Sequence, residues 1–121
     1  MAGLFSRLQK RSIGHHPYCA AVVVAAGSAS RMKGIDKIMT TLGGIPVLAR
    51  TLQALEQCGR IDEIVVVTRT DLCAPVNILC REFGIQKVTA VVSGGATRAE
   101  SVRCGLCAVS GRAELAAIHD G

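Results

Sequence analysis

The stretch Ala20–Lys37, AAVVVAAGSASRMKGIDK, decides how the rest of the chain is read. Its first seven residues, AAVVVAA, are small and apolar without alternation, as expected of a central parallel strand covered on both faces. The run breaks at Gly27 into a loop of small residues that presents Arg31, Lys33 and Lys37 within seven positions. Backbone with almost no side chain can approach a ligand closely, and successive N–H groups in such a loop favour anionic oxygens. The opening stretch therefore reads as a strand that feeds an anion-binding loop.

Working outward, the same alternation of strand and helix recurs to the C-terminal end. IPVLARTLQALEQCG (45–59) places Val47, Leu48, Thr51, Leu52 and Leu55 on one helical face, with Pro46 suited to the first turn and Gly59 to the stop. EIVVVT (63–68) reads as a second strand, and LCAPVNILCREFG (72–84) as a helix with Val76, Leu79, Cys80 and Phe83 inward and Gly84 as terminator. KVTAVV (87–92) is the third strand. It leads into SGGATRAESVRCGLCAVSG, where Thr97 and Glu100 have the spacing of a capping box, so a helix is expected to begin at Thr97. ELAAIHDG (114–121) reads as a fourth strand. Short connections between alternating strands and helices predict an α/β fold: a doubly wound, mostly parallel sheet with right-handed crossovers. Ligands bind such sheets outside the carboxyl ends of the strands, where the unusual loops of this chain fall. A sequence that stops at a parallel strand without a covering helix is expected to be incomplete at its C-terminus, the first part of a larger domain.

Composition narrows the ligand. The chain has 121 residues, half of them hydrophobic, and only 2% are aromatic. Fourteen Lys and Arg against nine Asp and Glu give a formal net charge of +5, which favours acidic partners. Scarce aromatics argue against single-stranded nucleic acid, whose bases stack on aromatic side chains, and point instead to a small phosphate ligand. No run is long and apolar enough to span a membrane, and no signal peptide is read. The six cysteines are thus expected to be free thiols in a cytoplasmic protein, with Cys104 and Cys107 as two small buried apolar residues and not a metal or redox pair. Residues 1–18, with Arg7, Lys10 and Arg11 ahead of Pro17, are expected to form a loosely ordered basic extension before a domain over 19–121.

Two common phosphate loops are excluded by spacing. Gly27 to Gly34 is too long for G-x-x-x-x-G-K-[ST] and is followed by Ile35, while SAS after Gly27 breaks G-x-G-x-x-G. What remains, AAGSASRM followed by Lys37, resembles the nucleotide loop of nucleotidyltransferases. Together with GGATRAESV (94–102) and IHDG (118–121), in this order and at these distances, it is similar to the 2-C-methyl-D-erythritol 4-phosphate cytidylyltransferase family.

The resemblance implies a Rossmann-like nucleotidyltransferase fold, transfer of a cytidylyl group from CTP to a polyol phosphate, Mg²⁺ as cofactor, and a homodimer. It implies that Arg31 and Lys37 stabilise the transition state and that Ala25, Ala26 and Gly27 bind the nucleotide through backbone. Gly95 and Ser101 would lie at the cytosine end, and Asp120 near the ribose and the metal ion. Arg98 belongs to the motif without an assigned contact. The sequence departs from the family pattern at Asp36, where a proline often precedes the lysine, and at Ala96, where some members carry an acid. Two alternatives stay open: a sibling cytidylyltransferase acting on an acceptor such as ribitol 5-phosphate, and a nucleotide-binding fragment without catalysis.

Overall fold

The computed structural model describes residues 17–25, 31–32, 35–36, 41–42 and 45–120, with side chains at 17–25 and 46–120. Four six-residue strands form one parallel sheet: β1 (Cys19–Val24), β6 (Glu63–Thr68), β7 (Val88–Ser93) and β8 (Leu115–Asp120), in the spatial order β7-β6-β1-β8. Two short antiparallel hairpins precede the first helix. They pair β2 (Arg31–Met32) with β3 (Ile35–Asp36), and β4 (Thr41–Leu42) with β5 (Ile45–Pro46). Neither hairpin was anticipated from the sequence, whose polar residues there give no two-residue alternation long enough to read.

Helix α1 (Val47–Glu56) follows Pro46, whose fixed φ of −56° and missing N–H suit a helix entrance. Its buried face is Leu48, Ala49 and Leu52, close to the predicted stripe, and Leu55 packs against the same core. The helix ends at Glu56, three residues before the expected Gly59 stop; Gln57 keeps right-handed backbone and the chain leaves without a left-handed residue. Gly84 does act as a terminator. After α2 (Cys73–Glu82) it adopts φ 66°, its N–H donates to Arg81 C=O (3.3 Å) and Ile85 N–H donates to Cys80 C=O (2.9 Å). That pair of bonds is a Schellman ending, which requires a left-handed residue at this position. A single 3₁₀ turn, Thr70–Leu72, precedes α2.

The helices divide the sheet's two faces. Ala21 and Val23 of β1 and Ile64 and Val66 of β6 pack with Leu48, Leu52, Val76 and Leu79, so α1 and α2 share one face. Val22, Val24, Val65 and Val67 point the other way and meet Val102 and Ala108 of α3 (Arg98–Ala108). Every residue of β6 is buried, and β1 is buried from Ala20 to Val24. Burial of each valine or isoleucine side chain among them is worth about 1.5–3 kcal/mol relative to exposure. The unbroken apolar runs of the sequence therefore correspond to the two central strands.

Gly105 sets the distance of α3 from the sheet: a Cβ there would meet Val67 Cγ2 at 2.8 Å and crowd Val22 Cγ1 still more closely. The helix can lie on β1 and β6 because this residue has no side chain. At the opposite end of the sheet, Glu63 is 1% exposed, and its Oε2 accepts from Thr89 Oγ1 (3.0 Å) and Ser110 N–H (2.9 Å). Those bonds tie β6 to β7 and to the end of α3, where the β6–β7 register skips Thr89. The carboxylate inside an apolar-looking strand is held by the two hydrogen bonds to its Oε2.

The six cysteines are all free, as expected, but Cys107 is exposed and Cys104 is half-buried, which corrects the reading of the pair as two buried apolar residues. α3 rests on the sheet through Ser101 and Gly105; Cys104, three residues after Ser101, lies at the margin of that face, and Cys107 lies outside it. Loss of solvent pushes the Cys19 and Cys80 thiols up from their ordinary range, with Asp62 and Glu56 adding to it respectively, so both stay protonated near neutrality. Among the described residues no helix is long and apolar enough to cross a membrane.

Candidate active site

The order β7-β6-β1-β8 has a reversal in it. From β1 the chain steps to β6 and β7 on one side, then returns through α3 to place β8 on β1's other side. The crossovers through α1 and α2 cover one face and the one through α3 covers the other, and the strand order reverses between β1 and β8. An open crevice at this point is where a parallel sheet takes a ligand.

Three segments converge there. β1 delivers Ala25, which is buried and whose N–H donates to Val67 C=O (2.7 Å), so that amide is spent inside the sheet. Ala26, Gly27 and Lys37 lie outside the described residues. Arg31 opens β2, its backbone paired with Asp36 of β3.

The second segment runs from β7 into α3. Gly94 N–H donates to Thr68 C=O (2.9 Å), prolonging the sheet by one bond before the chain turns. Thr97 is the N-cap of α3, and the predicted capping box is present: its Oγ1 accepts from Glu100 N–H (3.1 Å) while Glu100 Oε1 accepts from Thr97 N–H (3.2 Å). The same Oε1 also accepts from Ala96 N–H (2.8 Å). Gly95 is confined by this arrangement, since a Cβ on it would stand 2.5 Å from Glu100 Cβ. Ser101, expected at the cytosine end, is buried, and its Oγ accepts the Gly95 N–H at 3.2 Å. Gly95 and Ser101 are thus brought together, with Ser101 supporting the loop from beneath and Gly95 at its surface.

The third segment is the end of β8. Asp120 stands opposite Val24 in the parallel register, and parity puts it on the face that carries α3. Arg98, in the first turn of α3, reaches it with both arms: Nε donates to Oδ1 (3.0 Å) and Nη2 to Oδ2 (3.3 Å). Both side chains remain exposed, at 60% and 66%. His119, one residue earlier, belongs to the opposite face with Val23. The Arg98–Asp120 contact joins positions 22 residues apart and had no local signal in the sequence. Nor did the burial of Thr68 at the carboxyl end of β6, whose hydroxyl is enclosed without a hydrogen-bond partner among the described residues.

These elements answer to one family. The family model described as 2-C-methyl-D-erythritol 4-phosphate cytidylyltransferase matches residues 19–121. The chain belongs to that family. It is 42% identical over 101 residues to the 2-C-methyl-D-erythritol 4-phosphate cytidylyltransferase of Dehalococcoides mccartyi, covering 84% of this chain and 44% of that protein. It is 41% identical over 102 residues to the enzyme of that name from Geobacillus kaustophilus, again covering 84% and 44%. Among solved structures, the 4-diphosphocytidyl-2C-methyl-D-erythritol synthase of Anaerococcus prevotii superposes with a TM-score of 0.72 at 32% identity, over 86% of this chain and 43% of that one. The chain therefore spans less than half the length of the cytidylyltransferases it matches, and the shared part is their N-terminal, strand-loop-helix half. The predicted α/β class, with a parallel sheet of Rossmann-like order, is the observed one.

Proposed function

We propose that the chain contributes the nucleotide half of a cytidylyltransferase that transfers the cytidylyl group of CTP to 2-C-methyl-D-erythritol 4-phosphate. A phosphate oxygen of the acceptor attacks the α-phosphorus of CTP, the bond to the β-phosphate breaks, and pyrophosphate leaves. The observation that carries this reading is the gathering of Ala25, the Gly95–Ser101 turn and Asp120 at the carboxyl ends of β1, β7 and β8, in a chain of this family.

Two anions must meet and further charge develops as they react, so fixed cations aimed at the phosphates supply most of the acceleration. Arg31 and Lys37 are proposed for that role, and the backbone of Ala25, Ala26 and Gly27 for holding the nucleotide beside them. Gly95 offers a surface without a side chain for the base, held in shape by Ser101 and Glu100.

The donor set suits a magnesium ion that arrives with the nucleotide. Among the described residues there is no cluster of three His, Cys, Asp or Glu that could cage a metal, and Asp120 offers a single exposed carboxylate. Mg²⁺ is bound through one or two carboxylates plus substrate phosphates and waters, and Asp120 is the carboxylate this site offers. When bound, the ion would offset charge on the phosphates. The homodimer and the cytoplasmic location are carried over from the family as part of the same proposal.

The test is a thermal-shift comparison of the chain with Mg²⁺ and each of CTP, UTP, ATP and GTP. Stabilisation is expected to be largest with CTP; equal shifts, or none, overturn the reading. Where turnover is followed by pyrophosphate release, Lys37→Ala is expected to slow it by about 100-fold or more while CTP affinity changes only a few-fold. Near-normal turnover removes Lys37 from the chemistry, and faster release with ribitol 5-phosphate than with 2-C-methyl-D-erythritol 4-phosphate reassigns the acceptor.

A further inference from the structure

Arg98 is the cation whose placement the proposed reaction leaves unexplained. It occupies the first turn of α3, the end of a helix at which positive charge is disfavoured. The capping needs of that end are met without it, by Thr97 and Glu100. An exposed ion pair adds little to stability, so holding the fold together does not account for it either. What the guanidinium does is engage both oxygens of the Asp120 carboxylate from the far side of the crevice. Such a two-armed contact fixes the plane of the carboxylate, which a lysine could not do.

We propose that Arg98 is a positioning residue that orients Asp120 and restricts its access to divalent cations, so that a metal ion is admitted to this carboxylate only together with a phosphate. The proposal rests on the nucleotide reading above and deepens it. Each carboxylate oxygen keeps a second lone pair beyond the one facing Arg98, so a metal can be accommodated without displacing the guanidinium. A bare dication there would nevertheless lie within a few ångströms of the Arg98 charge, and the two repel. Phosphate oxygens entering with the metal supply negative charge to both cations and remove the conflict. Metal and nucleotide binding are then coupled through Arg98, and the coupling is reciprocal.

Mn²⁺ binding, read by water-proton relaxation on the 121-residue chain, tests this without any turnover. With Mn²⁺ alone, Arg98→Gln is expected to bind about tenfold more tightly than the unsubstituted chain, from relief of a like-charge contact at the surface. The gain should vanish in Arg98→Gln combined with Asp120→Asn, and Arg98→Lys, which keeps the charge, should bind as weakly as the parent. Addition of CTP is expected to tighten Mn²⁺ more in the parent than in Arg98→Gln. Circular dichroism of each variant confirms the fold. Equal Mn²⁺ affinity in the parent and Arg98→Gln overturns the proposal, as does a gain that survives Asp120→Asn. If the variants differ as expected with Mn²⁺ alone but CTP tightens none of them, the restriction by Arg98 stands and the nucleotide reading falls.

Discussion

β6 and β8 are both six-residue strands, both parallel to β1 and both its hydrogen-bonded neighbours, yet every residue of β6 is buried and every residue of β8 is exposed. The difference is not one of composition alone, since LAAIHD carries four apolar residues of six. β6 lies between two strands and under three helices, whereas β8 has one strand neighbour and no helix packed on it among the described residues. Stability is therefore concentrated in β1 and β6, while the charged end of the site is carried by the edge.

That contrast can be broken by substitutions of graded severity. Leu52→Ala, which empties a fully buried position between α1 and the sheet, is expected to cost about 2–5 kcal/mol in urea unfolding. A cost below about 1 kcal/mol would mean that this face is not the core it looks like. Gly105→Ala is expected to cost about 1–3 kcal/mol, because the added methyl must push α3 away from Val22 and Val67. A neutral result would show that the helix can ride up on the sheet without loss. Ile118→Thr, at 39% exposure on β8, should change stability by no more than about 0.5 kcal/mol, since a branched side chain is kept at a solvent-facing edge. If it costs as much as Leu52→Ala in thermal or urea unfolding, β8 is covered in solution and the comparison with β6 fails.

Much of the fold was legible because its signals are local. Unalternating apolar runs marked β1 and β6 to within a residue or two, and Gly84 and the Thr97–Glu100 pair marked helix ends through chemistry that acts over three or four residues. Gly59 misled for the same reason: a glycine after a helix permits a left-handed stop, but α1 had already ended at Glu56. In the sequence Glu63 is no more than the first residue of a strand. Its burial depends on Thr89 and Ser110, 26 and 47 positions away, which no local pattern connects to it.

The site divides along the same line. The small residues Ala25, Ala26 and Gly27, the cations Arg31 and Lys37 and the capped turn after Gly95 are visible in the sequence as residue types, and the roles proposed for them rest on the family resemblance. The pairing of Arg98 with Asp120, and the seating of Ser101 beneath Gly95 instead of at the surface, were decided only when α3 crossed to the second face of the sheet and β8 returned beside β1. Sequence determined the four strands of the parallel sheet and most of the helix ends through local propensity and hydrophobic period. Tertiary structure alone decided which charges meet, because that depends on strand order and on the side of the sheet each crossover takes, and neither is written in any single stretch of residues.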